Sequence, residues 1–311
     1  MISCTEFIPA YSELFTYLEN NFGRGQVDVF WDYLFAPTGD GIPLINFVLK
    51  EGIRGCYSYW SGTLNEEAAD FTMYLNEKRG WFKIDMHRCP SKGRLLELRD
   101  EIGIEPYHDY CLHCFCYKYS LEKVGLEYMY DFTGTDRAAC SVIIYDPKVF
   151  DGRFVVDSET LIMDRKAADN EYFHPDFHSS LNMGVEYLGK EFGVGHLTKY
   201  LEQFTRNVYG KVISSAKEQG LSAIRDNILS TYNKEHAPDA VECALSDTEL
   251  RVKVAFCPGV KHLLATGRAV SAFYPYTTSV VMGTLAKDSG FGFEMLSYDE
   301  KSGAAEYRFF K

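Results

Sequence analysis

No stretch of this 311-residue chain is apolar over the roughly 18 residues that a membrane-spanning helix requires, so no bilayer-spanning protein is expected. The opening residues, Met1-Ile-Ser-Cys-Thr-Glu-Phe-Ile8, have neither the basic flank nor the apolar run of a secretory signal. A cytoplasmic protein is expected on that basis. Positive charge is scarce as well. Lys and Arg number 32 against 44 Asp and Glu, leaving a formal charge of −12 and a pI near 5.2. Nucleic-acid binding rests on neutralised phosphates, and attachment to anionic membranes on basic patches. Both are disfavoured, which leaves a small-molecule substrate as the expected partner. The nine cysteines are an odd number, so full pairing within one chain is excluded. In a reducing compartment they are thiols, thiolates or metal ligands. Nothing in the composition sets the oligomeric state.

What is present points to a packed core. Apolar residues make up 46% of the chain and aromatics 15%, which argues against disorder. Helical stripes are legible at Tyr11, Leu14, Phe15 and Leu18, and again at Val27, Phe30, Trp31 and Leu34. Pro37-Thr-Gly-Asp-Gly41 reads as a loop, and residues 65–76 as a helix. Phe82, Ile84 and Met86 then alternate with Lys83, Asp85 and His87 as a strand. Continued to Cys89, that strand would put Lys83, Asp85, His87 and Cys89 on one face, with Pro90 ending it and Ser91 capping a helix. Residues 107–121 read as another helix, followed by Gly125 and a hairpin returning through residues 139–145.

The second half repeats the plan. One long helix carries Leu197, Leu201, Phe204, Val208 and Val212. Phe82-Lys-Ile-Asp-Met-His-Arg-Cys-Pro90 aligns with Leu250-Arg-Val-Lys-Val-Ala-Phe-Cys-Pro258, Pro106-Tyr107 with Pro275-Tyr276, and the hairpin after Gly125 with that after Gly290. An internal duplication is the expectation. The expected fold class is α+β, two tandem copies with N-terminal helices and a small antiparallel sheet packed on helices. Residues 1–150 would be the first copy, 151–182 a packed linker segment and 183–311 the second copy. In this alignment His87 becomes Ala255, Cys111 becomes Val280 and Cys140 becomes roughly Glu306, so the chemistry is expected in the first copy.

That chemistry is concentrated between Trp81 and Tyr145, where five of the nine cysteines and three of the eight histidines lie. Cys89 with His87 would pair a thiol with a base. Cys111 at a helix start would have its thiol acidified by the helix dipole, which makes it the preferred nucleophile. Cys89 and Cys140 would be its neighbours. The competing reading is a set of inert, buried thiols, the usual state of a free cysteine. No resident metal is assigned, and a metal site stays open as an alternative. If one binds, zinc or another soft divalent metal suits Cys89, His108, Cys111, His113, Cys114 and Cys140. Further on, His174 and His178 flank Asp176 at a spacing that would put both rings on one helix face. With Asn170 they are candidate substrate-binding residues, and one of them would serve as general base. A capped helix start with solvated histidines is the plainer alternative.

Arg-Cys-Pro, then Tyr-Cys some twenty residues on, then a Gly-led hairpin with a Cys on its returning strand, resembles the L-2-amino-thiazoline-4-carboxylic acid hydrolase family. The matching residues are Cys89-Pro90, Cys111 and Cys140. The resemblance covers the C-terminal part of each half and, in the second half, the stretch Leu188-Gly-Lys-Glu-Phe-Gly193. It implies a cysteine-centred hydrolase that cleaves a C–N bond of a small cyclic amidine-like substrate, with Cys111, Cys89 and Cys140 at its centre; His87 and Cys114, outside the matched positions, complete the catalytic candidates. Cys114 stands where that family often has an acidic residue. Residues 168–178 lie outside the family's pattern. A metal-binding protein using the same side chains, or a small-ligand sensor using an aromatic pocket between the copies, are the alternatives of other classes.

Overall fold

Strict alternation builds the sheets of this chain, in two places. In Asp70-Phe-Thr-Met-Tyr-Leu-Asn76 every second residue (Phe71, Met73 and Leu75) is wholly buried. In Glu249-Leu-Arg-Val-Lys-Val254 the same holds for Leu250 and Val252, with Val254 nearly so. The computed structural model describes residues 1–35 and 43–311, so the loop expected at Pro37–Gly41 lies outside the described residues. By their internal contacts these residues form two units. The central unit comprises Leu18–Glu101 and Glu105–His174. The terminal unit comprises Met1–Tyr17, Ile102–Ile104 and Pro175–Lys311. The division at 174/175 falls inside the stretch expected to be a linker, and residues 1–17 go with the second half of the chain rather than the first.

Helix α1 (Phe7–Phe22) begins in the terminal unit and ends in the central one. The central unit continues with α2 (Arg24–Phe35), α3 (Pro43–Glu51), α4 (Arg54–Glu66), β1 (Asp70–Asn76), β2 (Trp81–Arg88) and α5 (Pro90–Ile102). A 3-10 helix (Tyr110–Cys116), α6 (Tyr117–Lys123), β3 (Glu127–Asp131), β4 (Cys140–Tyr145) and β5 (Leu161–Arg165) complete it. The strands form one antiparallel sheet in the order β3-β4-β2-β1-β5. Its inner face buries Phe71, Met73, Leu75, Phe82, Ile84 and Ile144 against Leu44, Val48, Cys56, Trp60 and Leu64 of α3 and α4. Trp60 lies flat on Phe82, with ring centroids 5.6 Å apart and planes inclined by 14°. Each such side chain contributes on the order of 2 kcal/mol by leaving water.

The terminal unit holds α7 (Phe177–Phe192), α8 (Val194–Val208), α9 (Gly210–Gln219), α10 (Leu221–Lys234), β6 (Val241–Leu245), β7 (Glu249–Val254), α11 (Pro258–Ala265), α12 (Tyr276–Ser289), β8 (Gly292–Tyr298) and β9 (Ala305–Phe310). Its sheet is antiparallel in the order β6-β7-β9-β8. With β5 set aside, β1-β2-β4-β3 and β6-β7-β9-β8 have the same order, antiparallel throughout. In both sheets the second strand runs into a Cys-Pro pair that opens a helix, α5 in one and α11 in the other. Among the described residues, no helix is long and apolar enough to cross a membrane.

Several local expectations are corrected. Residues 65–76 are the end of α4 and strand β1, because the period-two burial of Phe71, Met73 and Leu75 outweighs their helix propensity. The single long helix breaks after Val208, where Tyr209 turns its ring into the core and its hydroxyl donates to Glu6 Oε2 at 2.8 Å. Residues 107–121 are a 3-10 helix and a short α-helix rather than one helix. In strand pairing it is Ala305, one residue before Glu306, that takes the place Cys140 has in the first sheet. Cys140 pairs with Met86 while Ala305 pairs with Val254, and a one-residue slip in a strand reverses the face.

Candidate functional site

Strand β2 ends at Arg88, so Cys89 leaves the ladder that carries His87. Its backbone N–H donates to Ala138 O at 2.6 Å, and its Sγ accepts the Lys92 N–H at 3.4 Å. The thiol therefore sits in the N-cap role of α5 that Ser91 was expected to fill. Cys140, paired with Met86, lies on the inner face of β4. The 3-10 helix brings Cys111 and Cys114 to the same place. Cys89, Cys111, Cys114 and Cys140 all line one cleft, together with Ser91, Lys92, Tyr110, His113, Tyr130 and the loop residues Thr135, Ala138 and Ala139. The cleft holds about 330 Å³, open solvent at its mouth included.

One hydrogen-bonded chain runs along its wall. His113 Nδ1 is bonded to the backbone carbonyl of Tyr110. A carbonyl only accepts, so Nδ1 carries the proton and Nε2 is the acceptor. That nitrogen faces Cys114 Sγ at 3.5 Å, and the thiol donates to it. A thiol, an unprotonated ring nitrogen and an orienting carbonyl thus stand in sequence, the order that a nucleophile and its base would need. Burial drives the His113 pKa down to about 4, with the Tyr110 carbonyl pulling the other way, so the imidazole is neutral near pH 7 with Nε2 unprotonated.

The thiols are protonated at rest. Burial pushes Cys111 up to about 11, only partly offset by the Lys92 charge. It also raises Cys89, Cys114 and Cys140. The helix-dipole argument for Cys111 does not carry over, because this residue lies in a seven-residue 3-10 helix. Behind the cleft, Glu67 hydrogen-bonds to Ser91, and burial raises its carboxyl pKa. Lys92, at the mouth, supplies positive charge. Glu67, Lys92, Tyr110 and Tyr130 escape a reading of the sequence, since they carry no motif. The pairing of adjacent residues His113 and Cys114 was its one available signal.

The remaining sequence candidates lie elsewhere. His87 Nε2 is 2.8 Å from Thr72 Oγ1, which donates in turn to Asp164, on the opposite face of the sheet from Cys140. It makes no pair with Cys89. His108 has 63% of its side chain exposed, beside Asp109. Asn170 donates to Asn65, and His174 Nδ1 is 2.6 Å from Glu66 Oε2. Helix α7 begins only at Phe177, so His174 and His178 share no helix face. Neither ring is solvated: His174 is 9% exposed and His178 is fully buried. In the terminal unit Asp176 accepts from Arg268, Ser179 and His262. Burial opposes its ionisation, but those partners prevail and hold its carboxyl well below the usual range. His178 contacts Glu235 and Tyr274 within the terminal unit. Asn170, His174, Asp176 and His178 are thus not among the residues lining the thiol cleft.

The cleft thiols are not drawn together as a metal cage. Among the described residues, the one group of three or more His, Cys, Asp or Glu whose ligand atoms all lie within 4.8 Å of one another is Cys4, His178 and Glu235. No protein-family model matches the chain, and neither a curated protein nor a solved structure is detectably similar to it.

Proposed function

We propose that the cleft of the central unit is the active site of a cysteine-dependent hydrolase acting on a C–N bond of a small, cyclic, amidine-like compound. The observation that carries this proposal is the chain from Cys114 through His113 to the Tyr110 carbonyl, set in the wall of a cleft that Cys89, Cys111 and Cys140 also line. The resemblance of Cys89-Pro90, Cys111 and Cys140 to the aminothiazoline-carboxylate hydrolase pattern supports the substrate class. Lys92 would attract a substrate carboxylate.

In this mechanism Cys114 Sγ bonds to the amidine carbon as its proton passes to His113 Nε2. The tetrahedral intermediate collapses, the C–N bond breaks, and the leaving nitrogen takes that proton. Water then adds to the sulfur-bound carbon with His113 accepting its proton, and the C–S bond breaks to return the thiol. Net, one water is added. Cys114 replaces Cys111 as the proposed nucleophile, because it is the thiol with a base in reach. The matching strand orders and Cys-Pro positions of the two sheets support a further proposal, internal duplication with the chemistry kept in one copy.

The test is turnover. The full chain is incubated with 2-amino-thiazoline-4-carboxylate and related cyclic amidines, and products heavier by one water are sought by mass spectrometry. Turnover that falls by about 10³ or more in Cys114→Ser or His113→Gln supports the proposal. Turnover unchanged in Cys114→Ser refutes it.

A further inference from the structure

The terminal unit contains a second chemical cluster that the proposed hydrolase does not use. Cys4 lies in a short 3-10 turn (Cys4–Glu6), His178 in the first turn of α7, and Glu235 just past the end of α10. Three stretches far apart in the chain meet here, and their side chains are almost completely buried. Glu235 Oε1 accepts the Cys4 backbone N–H at 2.5 Å, and Oε2 lies 3.0 Å from His178 Nε2. The other ring nitrogen, Nδ1, is 3.2 Å from Tyr274 Oη. No cleft residue of the central unit takes part.

We propose that Cys4 Sγ, His178 Nε2 and a Glu235 carboxylate oxygen form a binding site for a borderline-soft divalent cation, with zinc the plainest case.

Geometry and donor chemistry carry this proposal together. All three ligand atoms lie within 4.8 Å of one another. Zinc bonds of about 2.0–2.3 Å to tetrahedral ligands place those ligands about 3.3–3.8 Å apart. His178 Nε2 and Glu235 Oε2 are 3.0 Å apart and all three ligand atoms lie within 4.8 Å, so a small adjustment seats the ion. Thiolate, imidazole and carboxylate are also the donors that a borderline cation accepts, and a magnesium or calcium site would be all oxygen. Two negative ligands would balance a divalent charge in a site this deeply buried.

The surroundings support it further. A ligating histidine ordinarily has its second nitrogen fixed by a hydrogen bond, and Tyr274 supplies that bond. Helix α11 approaches this pair so closely that a Cβ on Gly259 would lie 2.0 Å from Tyr274 Oη and 2.7 Å from His178 Nδ1. The backbone is thus shaped around the imidazole. A burial this complete marks a structural ion, taken up as the chain folds and clipping the segment around Cys4 to α7 and α10.

The experiment uses the full chain, expressed with zinc in the medium and dialysed exhaustively before elemental analysis. About one equivalent of metal is expected. It should be lost in Cys4→Ala and in His178→Gln, and retained in a Cys111→Ser/Cys114→Ser double variant. Because the first two variants risk misfolding, the wild-type chain is also unfolded and refolded with cobalt(II), where a sulfur-to-cobalt charge-transfer band is expected. Refolding with a strong chelator should lower the Tm by roughly 10 °C or more, and zinc should restore it. The proposal is overturned if the refolded chain binds no zinc or cobalt and melts identically with and without chelator. It is equally overturned if the metal disappears in the cleft double variant and stays in Cys4→Ala.

Discussion

His113 is a small example of how burial keeps an imidazole neutral. Exposed, its imidazole would take a proton near pH 6.5; inside the cleft wall it does so only near 4. The fold therefore favours the neutral ring. Above pH 6.5 neither folded nor unfolded chain holds this proton, and the contribution is complete. As pH falls from 6.5 to 4 the unfolded chain binds a proton that the fold refuses, and stability drains by at most about 3 kcal/mol. Urea midpoints at pH 7 and pH 4.5 should show a larger loss in wild type than in His113→Gln. Equal losses would mean that the ring is not held neutral. Cys111 titrates at the other end of the scale. Its thiolate fraction, and with it the rate of alkylation at this site, should rise about tenfold per pH unit from pH 7 and level off near 11. A plateau near pH 8 to 9 would indicate an unburied thiol. The sequence placed Cys89, Cys111, Cys114 and Cys140 in one segment, and its motif pointed to the cleft. It did not separate Cys114 from Cys111, because that distinction depends on which nitrogen of His113 the Tyr110 carbonyl engages.

Among the elements, the loops that close the two hairpins make a matched pair. Ala138 holds φ +60° in the cleft wall between β3 and β4, and Gly303 holds φ +67° between β8 and β9. The left-handed conformation strains a residue with a Cβ and leaves glycine at ease. Ala138→Gly should therefore stabilise the chain by about 0.5–1 kcal/mol, less the entropy that glycine adds to the unfolded state. Gly303→Ala should cost about 2 kcal/mol or more, since its new Cβ would also meet Cys257 Cβ at 2.4 Å. Thermal melts of both variants check the pair, and opposite signs are expected. Strands were readable where alternation and a hairpin turn coincide, as in β2, β8 and β9. β1 was obscured by the helix that precedes it with only Glu67, Ala68 and Ala69 between them. β5 was missed because Leu161 and Ile162, 42% and 53% exposed, show no buried alternation; only pairing with β1 makes it a strand.

For the whole molecule, the two units are not the two halves of the sequence. The terminal unit borrows residues 1–17 across the central one. Phe7 stacks on Phe177 with centroids 4.7 Å apart, Tyr200 donates to Ala10 O at 2.7 Å, and Tyr17 bonds to His196 at 2.9 Å. These contacts span most of the chain and have no local signature, which is why a division at residue 150 or 183 looked natural from sequence. A fragment of residues 175–311 should accordingly lack a cooperative melt, and joining residues 1–17 to it through a flexible linker should restore one. Cooperative unfolding of the fragment alone would show that the borrowed segment is dispensable.

The most direct test concerns the pairing of Cys114 with His113. Full-length protein is treated with iodoacetamide at pH 7, and the modification of each cysteine is timed by peptide mass spectrometry. Cys114 should react ahead of Cys111 and Cys140 despite its deeper burial, and His113→Gln should slow it by about tenfold or more while leaving Cys111 and Cys140 unchanged. If the cysteines react simply in order of exposure, with Cys114 indifferent to His113, the active-site account is contradicted.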